Sequence, residues 1–267
     1  MKIRLFAKSN EISESVRNEL EEKLVINGDV LSNKDDYELA ISVGGDGSFI
    51  KMLHQCNFDS SKKYASVNTG NLGYLSTVDK DDITSFIKDL NTHNFIEEKL
   101  KYLTIKINTN DEYNGTTYNA INEISLRNTL LTTLYLSVFI NNNMIYKLSG
   151  DGISVSTPTG STAYNMSNGG SIIDTSLNAV EVTPISPINN NISKNINNSF
   201  VTSDKNKIII KPINKENSIS IIIDGKVTPI KDLISVEITS NNSITLLRDV
   251  DYNNIINLNN KIYKWRY

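Results

Sequence analysis

The period of the hydrophobic positions changes once along this chain. Up to about residue 95, short apolar runs alternate with stretches of helical spacing. Lys2 to Ala7 (KIRLFA) alternates as a first strand. From Glu11 to Leu24, the residues Ile12, Val16, Leu20 and Leu24 recur four apart, one apolar face of a helix that Ser9 or Asn10 would cap. A polar stretch from Val25 to Tyr37, interrupted by Val30-Leu31, leads to the apolar run Leu39, Ala40, Ile41 and Val43, which reads as a buried strand. Phe49 to Gln55 suits a helix and Lys63 to Val67 a strand. Asp79 to Leu90 carries Ile83, Phe86, Ile87 and Leu90 on one side, again a helix. Such alternation predicts a small parallel sheet with helices on its faces.

From about Glu97 the helical spacing disappears. Lys101 to Asn108, Thr116 to Leu126, Thr132 to Ile140 and Met144 to Leu148 read as strands between Asn/Asp/Gly turns. Lys207 to Pro212, Ser218 to Ile223, Ile234 to Thr239 and Ser243 to Leu247 continue the pattern. Only Thr159 to Gly170, with its small residues, suggests a short helix in this half. The expectation is therefore an α/β domain, Rossmann-like, over residues 1–100, and a β-rich, sandwich-like domain over 101–249, with the active site between them. The end of the chain, 250–267, carries the single Trp265 in an aromatic and basic tail and is expected to pack back on the first domain.

Composition narrows the function classes. A chain of 267 residues with 39% hydrophobic and 21% charged residues is that of a globular protein. A net charge of −3 argues against a nonspecific nucleic-acid binder, so phosphate recognition has to be local. Cys56 is the single cysteine, which excludes an internal disulfide and a thiolate metal cluster from one chain. No signal-peptide core and no membrane-length apolar run occurs, and the expected compartment is the cytoplasm. His54 and His93 read as a buried-face and a surface histidine, not as metal ligands.

Chemistry concentrates in a few polar turns. Gly44-Gly45-Asp46-Gly47 interrupts the Leu39 run, so Asp46 is presented at the carboxyl end of a strand, where α/β sheets place their ligands. The glycines allow positive φ and leave room for a ligand to approach the main chain. Asn122-Glu123, Asp151 in Gly150-Asp151-Gly152, and Asp224-Gly225 also fall at strand ends or turns, although Asp-Gly is a common turn pair without any function. The run from Gly150 to Tyr164 (GDGISVSTPTGSTAY) offers many hydroxyls and main-chain donors for a polar ligand bearing a base and sugars. Neither GxxxxGK[ST] nor GxGxxG occurs, so a P-loop and the ordinary dinucleotide fingerprint are both absent.

Taken in order, the GGDG turn, Asn68-Thr69-Gly70-Asn71-Leu72-Gly73-Tyr74, Asn122-Glu123 and Ser156-Thr157-Pro158-Thr159-Gly160-Ser161-Thr162-Ala163-Tyr164 resemble the bacterial NAD kinases across nearly the whole chain. GGDG alone is shared with lipid kinases; the combination is specific. The resemblance implies transfer of a phosphoryl group from ATP, or in some members polyphosphate, to the 2′-hydroxyl of the adenosine ribose of NAD. It implies Asp46 as general base, accepting the hydroxyl proton as the oxygen attacks. It further implies NAD contacts from Gly47, Lys51, Asn122, Glu123, Asp151, Thr159, Thr162, Ala163, Tyr164, Ser167 and Ser186, with further contacts from Gly45, Tyr74, Asn165 and Asp224. Mg²⁺ would arrive with the phosphate donor, without a dedicated protein site. A homodimer or homotetramer is implied, with sites near subunit contacts. Ser48, Ser149 and Lys226 depart from the more usual Thr, basic residue and Gln. Two alternatives stand beside this reading: a lipid kinase of the GGDG type, and an NAD(P)-binding sensor that has lost catalysis.

Overall fold

A computed structural model describes residues 1–70, 73–130, 132–189, 197–214, 219–253 and 256. Asn71, Leu72, Asn190, Asn191 and the tail from Lys261 to Tyr267 lie outside the described residues. The chain divides into two compact units, residues 1–100 with the chain from Ser243 onward, and residues 101–242.

The first unit alternates strand and helix: β1 (Lys2–Ala7), α1 (Glu11–Ile26), β2 (Val30–Leu31), β3 (Leu39–Val43), α2 (Asp46–Gln55), β4 (Lys63–Asn68), β5 (Val78–Asp79) and α3 (Ile83–Thr92). The strands run parallel in the order β2-β1-β3-β4, with Ile3 beside both Leu31 and Leu39, and Leu39 beside Lys63. Thr245 and Leu246 add a further parallel pairing along Lys63 and Tyr64. Every residue of β3 is buried, as expected in a sheet covered on both faces, including Ser42, whose hydroxyl donates to that of Ser66 at 3.0 Å.

The α1 helix starts at Asn10, whose side chain accepts the Ser13 N–H at 2.8 Å. Its inward stripe is Ser13, Val16, Leu20 and Leu24. Ile12, expected on that stripe, is 58% exposed. The inward position is taken one residue later by Ser13, whose hydroxyl lies 3.0 Å from that of Thr69. On α2 the buried residues are Phe49, Met52 and Leu53, a stripe that leaves His54 outside. That histidine is therefore exposed, not on a buried face, and stands edge-on to Phe58 with ring centroids 5.1 Å apart.

The chain then enters the second unit through β6 (Ile96–Thr109) and continues as β7 (Thr117–Ala120), β8 (Glu123–Asn128), β9 (Leu134–Ile140), β10 (Asn143–Gly150), β11 (Gly152–Ser156), α4 (Tyr164–Ser167), β12 (Ala179–Ile185), β13 (Phe200–Ser203), β14 (Ile208–Pro212), β15 (Ile219–Ile223), β16 (Lys226–Ile230) and β17 (Leu233–Arg248). One antiparallel sheet has the order β13-β12-β11-β8-β15-β16. Facing it are β10, β9, β14 and the first part of β17, also antiparallel. Ile124, Leu126, Ile153 and Val155 from the first layer share one apolar cluster with Leu136, Val138, Ile210 and Val236 from the second.

Boundaries moved where hydrogen bonding outweighed hydropathy. The run Thr116 to Leu126 breaks at Ile121-Asn122, whose N–H groups are taken by Asp224 instead of a strand partner. Conversely, Ile234 to Thr239 and Ser243 to Leu247 form one strand of 16 residues, with Asn241 and Asn242 on its exposed edge. The strands β11, β12, β13 and β16 were not foreseen; β11 is buried throughout although Ser and Gly make up most of it. Among the described residues no helix is long and apolar enough to cross a membrane.

Candidate active site

In the first unit the chain leaves β1 by α1 toward β2 on one side, then crosses to β3 on the other. The carboxyl ends of β1 and β3 thus flank a switch point, where a crevice opens in parallel sheets. A cleft of about 510 Å³ lies there, lined by residues that follow β1 (Lys8, Ser9) and by the opening of α2 (Gly45, Gly47, Ser48, Lys51). The positive end of a helix dipole, with two lysines nearby, favours an anion such as a phosphate.

Of the motif's glycines only Gly44 has a positive φ, +152°, and a Cβ there would lie 2.2 Å from the Ser48 hydroxyl oxygen. Gly45 has an ordinary φ of −96° and Gly47 lies inside α2. Their role is vacancy: a Cβ on either would meet nothing within 4 Å, so the cleft wall is open at these two positions.

Asp46, the first residue of α2, does not line that cleft. Its half-buried carboxylate turns toward the next glycine-bearing segment and accepts the Tyr74 N–H on Oδ2 at 3.0 Å and the Leu75 N–H on Oδ1 at 2.9 Å. This approach requires Gly73, because a Cβ at that position would lie 2.3 Å from Asp46 Oδ1. Two motifs 25 or more residues apart in the sequence are thereby one constellation. Tyr74 itself is only 3% exposed.

The second unit brings together the other sequence-derived residues. Asp224 and Gly225 form the two-residue hairpin between β15 and β16, both at positive φ (46° and 82°). From this turn the Asp224 carboxylate accepts the N–H groups of Ile121 (2.9 Å), Asn122 (2.8 Å) and Glu123 (3.2 Å). On the other side Thr157 donates its hydroxyl to the Ile121 carbonyl at 2.6 Å and its N–H to the Asn122 carbonyl at 2.9 Å. The Asn122-Glu123 peptide is clamped from both directions.

Glu123 is 8% exposed, and its Oε2 has no hydrogen-bond partner among the described residues. Burial, reinforced by the neighbouring Asp224 charge and only partly offset by the Tyr164 N–H, pushes its carboxyl up to about 7. The segment after β11 turns through Thr159–Thr162 and α4. Thr159 and Thr162 are each 6% exposed, Ala163 and Tyr164 are half-buried, and Ser167 is exposed. Asn165 is wholly buried: its amide nitrogen donates to Glu181 at 2.8 Å and its oxygen accepts the Thr183 hydroxyl at 2.6 Å. Glu181 in turn accepts the Ser171 N–H at 2.7 Å. Asn165 thus braces the segment from within. Asp151 is exposed and sits beside the β12 end, its N–H donating to Ile185, next to Ser186 at φ +45°. The Tyr164 hydroxyl accepts from Arg127 at 3.3 Å.

Several residues of these constellations escaped the sequence reading. Lys8 and Ser9 follow β1 directly, and their place at a strand's carboxyl end was a usable signal. Glu181 carried none, since it is a charged residue inside an apolar strand.

Comparison with known proteins gives this geometry a family. The profile of the ATP-NAD kinase N-terminal domain matches residues 4–95, and that of the ATP-NAD kinase C-terminal domain matches residues 121–251. An NAD kinase of Finegoldia magna is 36% identical over 170 residues, which is 64% of this chain and 62% of that protein. An NAD kinase of Staphylococcus aureus (strain JH9) is 30% identical over 232 residues, covering 86% of this chain and 84% of the relative. The structure of yeast NADH kinase complexed with NADH superposes with a TM-score of 0.85 at 18% identity, covering 100% of this chain and 89% of that one, a likeness of fold. Two matching domain profiles in order, and a relative aligned over most of both lengths, establish that the chain belongs to the ATP-NAD kinase family.

Proposed function

We propose that the protein transfers the γ-phosphoryl group of ATP to the 2′-hydroxyl of the adenosine ribose of NAD, giving NADP and ADP. The observation that carries this reading is the Asp46 carboxylate, fixed by two backbone N–H groups at the start of a helix whose glycine-bearing opening lines a lysine-bearing cleft. In the reaction the ribose oxygen bonds to the γ-phosphorus as the bond between that phosphorus and the β–γ bridging oxygen breaks. Asp46 accepts the hydroxyl proton as the attack proceeds. Lys8, Lys51 and the opening of α2 offset the charge of the donor phosphates.

Asn122, Glu123, Thr159, Thr162, Ala163, Tyr164, Ser167, Asp151 and Ser186 are assigned to the dinucleotide. Asp224 and Asn165 are assigned to holding those residues, because their side chains are spent on protein N–H, carbonyl and carboxylate groups. Among the described residues no group of three or more His, Cys, Asp or Glu could hold a metal ion. A divalent cation fits as a passenger on the donor phosphates, where it neutralises charge on the transferred group. The proposal includes a cytoplasmic setting and a homodimer or homotetramer, the latter checked by light scattering.

The test is NADP formation from NAD and MgATP, read with an NADP-specific dehydrogenase, with polyphosphate as second donor. Asp46→Asn is expected to keep NAD affinity within about tenfold while turnover falls by ~100-fold or more. Near-normal turnover in that variant removes the base from Asp46. Silence of the unaltered protein with both donors, together with NAD binding by calorimetry, replaces the kinase by a sensor.

A further inference from the structure

Arg248 ends β17 and is wholly buried. Its Nε donates to Glu98 Oε2 at 2.6 Å, and its Nη1 donates to the carbonyls of Tyr74 (2.9 Å) and Ser76 (3.0 Å). The guanidinium also lies over the Tyr252 ring, 4.1 Å from its centroid. Those carbonyls belong to the turn whose N–H groups, at Tyr74 and Leu75, hold the Asp46 carboxylate. Tyr74 is thus held at both polar groups of its backbone, by Asp46 at the N–H and by Arg248 at the C=O.

A buried guanidinium is an expensive way to fill a core, since apolar side chains of similar volume stabilise as well or better. What it supplies is direction: a planar fork that binds an acid on one edge and carbonyls on another. The acid is Glu98, and the carbonyls belong to the turn whose N–H groups hold Asp46. We infer that Arg248 is a positioning residue for Asp46, locking the turn at residues 74–76 so that the carboxylate is aimed before substrate arrives.

This inference rests on Asp46 acting as the base in NAD phosphorylation. It ties the last residue of β17 to the reactive turn within the first unit. The effect on rate follows from geometry, because an error of about 1 Å at a catalytic group costs on the order of 100-fold.

The experiment compares the unaltered protein with Arg248→Lys and Arg248→Met, each assayed below its own melting temperature, with hydrogen exchange followed at the Tyr74 and Leu75 amides. Lysine keeps the charge beside Glu98 but has no fork to span both partners. The expected result for both variants is kcat lowered by ~30-fold with KM for NAD within about threefold, and faster exchange at those two amides with β3 unchanged. If the methionine variant does not fold, the lysine variant decides. A folded variant that keeps kcat within about threefold and leaves the two amides protected overturns the positioning role. Silence of the unaltered protein instead overturns the kinase reading, and the exchange data still report separately whether Arg248 holds the turn.

Discussion

The two units each present a carboxylate, and they treat it in opposite ways. In the first unit Asp46 is half-buried and each oxygen accepts a backbone N–H, so the charged form is compensated by dipoles fixed in the fold. In the second, Glu123 is nearly buried, one oxygen is unpartnered among the described residues, and Asp224 faces it with a like charge. Two carboxylates in such different surroundings suit two different tasks. In the proposed reaction Asp46 is the group that receives a proton in the transition state. Glu123 is prepared to change protonation near neutrality, or to accept a hydroxyl hydrogen bond that repays its burial. The means of support differ as well: turns and a glycine contact for Asp46, a buried polar clamp for Glu123.

The sharpest way to break this comparison is Gly73→Ala. Its Cβ would intrude 2.3 Å from Asp46 Oδ1, so either the carboxylate or the turn has to move. Turnover is expected to fall by ~100-fold while NAD affinity stays within about threefold. Equal losses in both quantities would show that the turn at residue 73 also serves the dinucleotide.

Asp224→Ala attacks the other side. It deletes the acceptor for three N–H groups and puts alanine at φ +46°. A loss of about 2–3 kcal/mol in unfolding free energy is expected, with weaker NAD binding and an unchanged Asp46 turn by hydrogen exchange. Chemical denaturation measures the first quantity. A loss below about 0.5 kcal/mol would mean that water replaces the clamp.

The smallest effect, and the most diagnostic, is the pH dependence of Glu123. Its carboxyl lies at about 7 in the fold against an ordinary 4.5, so the native state binds the proton more tightly than the unfolded chain. The contribution to stability is complete below about pH 4.5 and is lost as pH rises to about 7. Glu123→Gln mimics the protonated form. Its stability advantage should be absent in acid and grow to on the order of 2 kcal/mol above pH 7. A pH-independent difference would show that the fold leaves Glu123's affinity for the proton as it is in the unfolded chain. Because Asp224 adds to the shift, combining the two substitutions should shrink the advantage.

The legible and illegible parts of the molecule divide along similar lines. Asp46 could be read because three glycines in four residues interrupt an apolar strand, a local pattern with a local cause. The helices α1, α2 and α3 could be read from periodicity, although the inward stripe of α1 was misplaced at its first turn. Ile12 looks outward and Ser13 inward because the latter's hydroxyl has a partner in Thr69, and hydropathy carries no information about a paired hydroxyl. The strand β11 was hidden for the same reason. Its Ser154 hydroxyl is paired with that of Ser125 at 3.1 Å inside the sheet, so a polar segment is buried at little cost.

By itself the sequence determined the alternation of strand and helix up to about residue 95, the change from helical to strand period near residue 97, the glycine-lined turn that presents Asp46, and the family. These depend on neighbours within a few residues, where side-chain type and backbone preference act directly. Tertiary structure alone decided that Gly73 abuts Asp46, that the Asp224 hairpin clamps residues 121–123, and that the end of β17 brings Arg248 beneath the turn at 74–76. Each is a contact between segments tens to hundreds of residues apart. Their register is set by sheet pairing and by where buried polar groups find partners. No window along the chain contains both sides of such a contact.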